Sequence, residues 1–199
     1  MPRTEQQNKE IREKTRELIL TTALELFAVK GYRGTSVSDI AEAAKISKGL
    51  AYNYFESKQQ LAEEVFNLLR YEVEQMMLVI LKIDDPYEQI KSMITLTFDH
   101  IKGNEKFWKM YFSFALQQDV SKIAEEISGS FINEMFKVLE KIFKKIGIPN
   151  AVMEAKRFGA ILDGVGIHYI FDKDNYPLQK MKKFLIEKYS KKNLERVKL

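Results

Sequence analysis

Proline interrupts this 199-residue chain only four times, at Pro2, Pro86, Pro149 and Pro177. A helix interior tolerates proline least of all residues, because proline lacks an N–H and its ring strikes the carbonyl one turn back. The last three prolines fall between long stretches in which apolar residues recur at helical spacing, so they read as stops between helices. The one hairpin-like dipeptide, Asp163-Gly164, has no alternating apolar and polar residues on either side, and no repeat of fixed period is present. The chain is therefore expected to be all-α. Its 45% hydrophobic and 30% charged residues suit a packed core and argue against disorder. No apolar run approaches the roughly 18 residues of a membrane span, so no membrane partner is expected.

The first helix is expected over residues 9–30, with Ile19, Ala23, Leu26 and Phe27 on one face and Gly31 closing its C-terminal end. Ser36 and Asp39 have the spacing of a capping box for a short helix over 37–44, whose Val37, Ile40, Ala41 and Ala44 form an inward stripe. Lys45 and Ile46 turn the chain, Ser47 caps again, and a third helix runs to Phe55 with Ala51 and Phe55 one turn apart and facing inward. Further helices are expected over 57–81, 87–102, 105–118, 120–146, 150–171 and 178–192. In the fourth of these, Phe131, Met135, Val138 and Ile142 mark one face and Ile132, Phe136, Leu139 and Phe143 another, which predicts burial on more than one side.

Two short helices joined by a tight turn form a helix-turn-helix, the frame that presents its second helix to a DNA major groove. With Ala51 and Phe55 inward, a period of about 3.6 residues points Lys48, Gly49, Tyr52 and Asn53 outward and leaves Tyr54 at the margin. A lysine, an asparagine, a capping serine and an exposed tyrosine supply what a duplex offers to bind: charge and hydroxyl for phosphate, an amide for a base edge, a ring for a thymine methyl. Charge is distributed to match. Residues 1–60 carry 10 Lys/Arg against 8 Asp/Glu, residues 61–179 carry 14 against 18, and residues 180–199 carry 8 against 2, so the acidic middle lies between basic ends.

The run GYRGTSVSDIAEAAKISKGLAYNYFESKQQL, residues 31–61, resembles the DNA-binding domain of the tetracycline-repressor (TetR) family of one-component bacterial regulators. The likeness covers residues 10–70 and rests on the Gly-Tyr after the first helix, the Thr-Ser cap, the Ile-Ala pair, the Ser-Lys-Gly opening and the Tyr-x-Tyr-Phe end. It implies a helix-turn-helix domain over residues 1–56 and a helical ligand-binding and dimerisation domain over 57–199. It also implies that Ser36 and Ser38 touch phosphate, that Ser47, Lys48, Gly49 and Leu50 meet base edges, that Tyr52 and Tyr54 clamp the backbone, and that Lys58 holds a phosphate at a helix N-terminus. Two positions depart from the family pattern. Lys45 stands where glycine is common, and a lysine at positive φ costs about 1 kcal/mol, which points to a slightly different turn. Leu50 stands where smaller or polar residues are common, which favours methyl contact over a hydrogen bond.

The same resemblance implies a homodimer bound to a palindromic operator as a repressor, and released by a small-molecule effector. Glycines within FGAILDGVGIHYIF, each costing roughly 1 kcal/mol against alanine in a helix, suggest close helix approach across a dimer seam, with a kink beside a ligand cavity as the competing explanation. That seam is assigned to Phe158, Leu162, Val165, Tyr169, Leu178, Met181 and Leu185. Met76, Met77, Met93, Phe98, Phe107, Trp108, Tyr111, Phe112 and His168 are the candidate lining for an apolar or amphipathic effector.

Other classes fare worse. With no cysteine, thiol enzymes, zinc fingers and iron-sulfur proteins are excluded. His100 and His168 near Asp99, Asp163 and Asp172 suggest a base with an orienting carboxylate, but no HExxH, G-x-S-x-G or P-loop accompanies them, and Gly164-Val165-Gly166 lacks the third glycine of a dinucleotide fingerprint. No enzymatic activity and no cofactor are expected. The N-terminus lacks the apolar stretch of a secretory signal, so a cytoplasmic location is expected. The alternative is a helical adaptor whose basic tail meets an acidic partner or a membrane.

Overall fold

A computed structural model describes residues 4–195 of the chain, and among them there are helices and no strands. Helix α1 spans Glu5–Lys30, α2 Val37–Ala43, α3 Lys48–Tyr52, α4 Lys58–Ile80, α5 Pro86–Gly103 and α6 Glu105–Ala115. A 3₁₀ turn over Gln118–Val120 leads into α7, Ser121–Ile146, followed by α8, Ala151–Phe171, α9, Leu178–Lys188, and α10, Lys191–Glu195.

Several ends differ from expectation for local reasons. α1 starts four residues before the apolar pattern does, because Thr4 and Gln7 close a capping box on its first turn. α3 stops at Tyr52 instead of running to Phe55, although the Phe55 N–H still reaches the Ala51 carbonyl at 3.1 Å. α6 ends at Ala115, short of 118, and the expected single helix over 178–192 is broken at Tyr189 and Ser190 into α9 and α10. The turn after α2 is not altered by its lysine. Lys45 adopts φ 57°, its N–H meets the Glu42 carbonyl at 3.0 Å, and the Ile46 N–H meets the Ala41 carbonyl at 2.9 Å. That is the Schellman pattern, kept with lysine in the left-handed position usually given to glycine.

The chain divides into two compact units, Met1–Leu69 with Lys109–Ser128, and Arg70–Trp108 with Gly129–Leu199. Helices α4, α6 and α7 contribute residues to both. In the first unit Ile19, Leu20, Leu24, Phe27, Ile40, Ala51, Phe55 and Leu61 are almost entirely buried. Phe114 lies between Phe27 and Phe66 with ring centroids 5.1 Å from each, and Tyr111 meets Phe66 edge-on at 5.8 Å. The core under the helix-turn-helix is thus completed by the first half of α4 and the end of α6.

In the second unit α5 packs on α8 and α9 around Phe98, Phe143, Phe158 and Tyr189. Tyr189 lies edge-on to Phe158 at 5.0 Å and donates its hydroxyl to Glu154 at 2.9 Å. Tyr169 donates to Glu105 at 2.6 Å, tying the end of α8 to the start of α6.

Candidate nucleic-acid interface

Helix α3 is built around one inward residue. Ala51 is 0% exposed and Phe55 just beyond the helix 1%, whereas Ser47, Lys48, Gly49, Leu50, Tyr52 and Asn53 are all exposed, Tyr52 at 44%. Caps fix where this face points. The Ser47 hydroxyl oxygen accepts the Leu50 N–H at 3.1 Å, which leaves its own hydrogen to donate outward. Lys48 and Tyr52 lie one turn apart, with the Lys48 Nζ 6.0 Å from the Tyr52 ring centroid. A methyl group added at Gly49 would meet nothing within 4 Å, so the backbone here is open to close approach by a partner.

The phosphate-type residues are not equally available. Ser36 gives both its N–H, at 2.7 Å, and its hydroxyl hydrogen to the Asp39 carboxylate, while its oxygen caps the Asp39 N–H at 3.1 Å. These bonds, the hydroxyl first and the backbone N–H second, hold the Asp39 carboxyl below the usual carboxylate range. Ser38 is exposed. Lys58 is half-buried, donating to the Tyr32 carbonyl at 2.9 Å with its ammonium 4.4 Å from the Tyr32 ring centroid. Tyr54 is half-buried under the Arg12 guanidinium, 5.8 Å from its centroid. An open cleft of about 430 Å³ lies among Arg33, Gly34, Thr35, Ser36, Val37, Asp39, Tyr52, Glu56, Ser57 and Lys58. Arg33 had no part in the reading of the sequence, since it stands in a loop with no periodicity to give it a direction.

The expected effector residues are divided between the two units. Tyr111 and Phe112 belong to the first, where burial pushes the Tyr111 phenol up to about 12. Met76, Met77, Met93, Phe98, Phe107 and Trp108 belong to the second, where Phe98 and Met93 are buried in its core and the other four are half-buried. His168 is exposed, stacked on Tyr176 with centroids 6.2 Å apart. The other histidine, His100, is the more enclosed. Its ring meets Trp108 edge-on at 5.6 Å, and its buried Nε2 has no hydrogen-bond partner among the described residues. Burial lowers its proton affinity. Sequence spacing could not separate the two histidines, since each stands near the end of an amphipathic helix.

The residues assigned to a dimer seam lie mostly inside the chain's own core. Phe158, Leu162, Val165, Tyr169, Leu178 and Leu185 are each at most 9% exposed within one chain, and Met181 is half-buried against the same core. All seven belong to or pack against the core of the second unit. Two of the glycines have the same role. A methyl at Gly159 would come within 2.8 Å of the Phe136 ring, and one at Gly166 within 3.2 Å of Ile101. Gly164 differs, with nothing within 4 Å of an added methyl, and it shares the outer side of α8 with Met153, Ala160, Ile167 and Phe171.

Among the described residues there is no cluster of His, Asp and Glu able to hold a metal ion, and no helix long and apolar enough to cross a membrane.

Residues 19–65 match the family described as bacterial regulatory proteins, tetR family. YuxN, an uncharacterized HTH-type transcriptional regulator of Bacillus subtilis, is 34% identical over 140 residues, 67% of this chain and 47% of that protein. The chain therefore spans about half the length of that relative. The HTH-type transcriptional repressor KstR2 of Mycobacterium tuberculosis is 26% identical over 157 residues, 78% of this chain and 74% of that one. The solved structure of the transcriptional regulator FadR of Bacillus subtilis, in complex with stearoyl-CoA, superposes with a TM-score of 0.71 at 19% identity, covering 87% of this chain and 96% of that chain. At that identity the likeness is one of fold.

Proposed function

We propose, from the match of residues 19–65 to the tetR family of bacterial regulatory proteins, that the chain is a one-component transcriptional repressor, cytoplasmic and non-enzymatic, that binds a palindromic operator as a homodimer and leaves it when a small effector binds. The observation that carries this reading is the exposure of Lys48, Tyr52 and Asn53 on a capped helix anchored from behind by Ala51 and Phe55. In this reading residues 1–56 read DNA, with Ser47, Lys48, Gly49, Leu50 and Asn53 toward base edges and Ser36, Ser38, Tyr52, Tyr54 and Lys58 toward the backbone. Residues 57–199 receive the effector and hold the dimer.

One reading head covers only a few base pairs, whereas two held about 34 to 36 Å apart read both half-sites and add their phosphate contacts. The seam is drawn here from the outward side of α8, where Met153, Ala160, Gly164 and Phe171 form an apolar and small-residue stripe that the chain itself leaves uncovered. An effector of apolar or amphipathic character suits the half-buried Met76, Met77, Phe107 and Trp108, with His100 as the polar contact. The stearoyl-CoA held by a protein of similar fold supports an amphipathic acyl compound. A preference of about 1 to 3 kcal/mol for the non-binding conformation changes operator occupancy several-fold to about a hundred-fold.

The test is a duplex selected from a random DNA pool by the full-length protein, then titrated by fluorescence anisotropy at several salt concentrations. Affinity is expected to fall with a log-log slope of roughly −0.9 per phosphate contact. Tyr52→Ala and Lys48→Ala should each weaken binding by about 1.5 to 3 kcal/mol, the range for hydrogen bonds to charged groups, without lowering the melting temperature. Failure to select any duplex, or binding indifferent to both salt and Tyr52, would leave the adaptor reading in its place.

A further inference from the structure

Arg33 lies in the loop between α1 and α2, on the rim shared by two clefts. One is the cleft it forms with Ser36, Tyr52, Ser57 and Lys58; the other, about 450 Å³, it forms with Tyr32, Gln118 and Asp119. Its guanidinium is 2.7 Å from the Asp119 carboxylate, yet its side chain is 83% exposed. A pair so open to solvent is weak and easily exchanged for another anion. Guanidinium also suits phosphate better than ammonium does, because its planar fork donates two parallel hydrogen bonds.

The charges around the first cleft show why the exchange matters. Lys58 and Arg33 face Asp39 and Glu56 across it. Lys58 already donates to the Tyr32 carbonyl. With Arg33 turned to Asp119, the acidic groups outnumber the remaining cation; with Arg33 turned back, the face is balanced and gains a bidentate donor. The net charge this cleft presents to a polyanion therefore depends on which way one side chain points.

Asp119 is held in place by its neighbour. The Gln117 side-chain amide donates to the Phe27 carbonyl at 2.7 Å and the Ser113 carbonyl at 3.0 Å, and its oxygen accepts the Tyr32 N–H at 2.8 Å. Val120 on the other side is fully buried. The segment between α6 and α7 is thus clamped to the end of α1, one residue from Arg33 on one side and two from Asp119 on the other.

We propose that Arg33 is a further DNA-phosphate contact and that Asp119 competes with the operator for it, so that the α6–α7 junction sets how much positive charge the reading head offers. This rests on the DNA-binding reading above. Asp119 then acts as a positioning residue and a built-in competitor, and Gln117 keeps it within reach.

The test uses the duplex selected by the wild-type protein and four full-length forms: wild type, Asp119→Asn, Arg33→Gln and the double variant. Asp119→Asn is expected to bind several-fold more tightly, with a salt slope steeper by up to about 0.9, which is about 3.5-fold in affinity between 50 and 200 mM salt. Arg33→Gln should bind more weakly with a shallower slope, and the double variant should match Arg33→Gln, since Asp119 has nothing left to withhold. Equal tightening by Asp119→Asn with and without Arg33 would overturn the proposal, because Asp119 would then act only as a nearby negative charge; so would no change at all. If the wild type selects no duplex, the DNA-binding reading fails and this inference falls with it. If it selects one and the variants are uncoupled, only the inference fails.

Discussion

Helix α3 and helix α8 use burial in opposite ways. α3 has five residues and buries only Ala51, so its position comes from the Ser47 cap, the Lys45 turn and the Phe55 anchor at its end. α8 has 21 residues and buries eight of them, among them Phe158 at 0% exposure. A helix placed by its ends can give nearly all its side chains to a partner. A helix placed by its flank has only its far side to give. Substitutions in α3 should therefore change recognition at little cost in stability, while those on the inner side of α8 should do the reverse.

The largest expected effect tests the second half of that contrast. Phe158 meets Phe143 at 5.8 Å and Tyr189 at 5.0 Å, with no solvent exposure. Phe158→Ala should cost about 3 to 5 kcal/mol of stability, as removal of a buried aromatic does. In urea unfolding the midpoint should drop sharply at every protein concentration. A loss that disappears at high concentration would mean that Phe158 serves the interface between two copies after all.

That expectation reverses what spacing alone suggested, and the reason is physical. An apolar stripe at 3.6-residue spacing reports that a face is covered, not by which chain. In α3 the question never arose, because Ala51 and Phe55 are its only inward residues and the capping serines state where each short helix begins. The all-helical class, the Ser36 and Asp39 capping box and the outward Tyr52 all follow from local chemistry of this kind. What local chemistry leaves open is long-range: that Tyr111 would join Phe66 under the helix-turn-helix, that Gln117 would clamp the end of α1, and that Phe136 would lie against Gly159. Each is a contact between residues 20 or more positions apart, and nothing in either partner's neighbourhood names the other.

Two glycines of α8 sharpen the contrast at a smaller scale. Gly164→Ala removes a helix-interior glycine at a place where the new methyl meets nothing within the chain, so a lone chain should gain about 1 kcal/mol. Gly159→Ala should lose stability, since the methyl must displace the Phe136 ring. If a second copy packs against the outer side of α8, Gly164→Ala should also weaken association in sedimentation equilibrium while Gly159→Ala does not. A Gly164→Ala protein that is more stable and associates as before would move the seam elsewhere.

The smallest effect lies at the turn that aims α3. Lys45 is held at φ 57° by the Glu42 and Ala41 carbonyls, a conformation that costs a residue with a side chain about 1 to 2 kcal/mol, against about 0.5 to 1 kcal/mol of extra chain entropy lost by glycine. Lys45→Gly should therefore stabilise the protein by about 0.5 to 1 kcal/mol, or roughly 1 to 4 °C in melting temperature for a chain of this size. Because Lys45 is exposed beside the reading head, DNA titration supplies the second readout. An unchanged salt slope with a higher melting temperature assigns the lysine to the turn alone, whereas a slope shallower by about 0.9 assigns its ammonium to a phosphate. In that second case the departure from glycine is a trade of local strain for charge, and α3 draws part of its affinity from the turn that positions it.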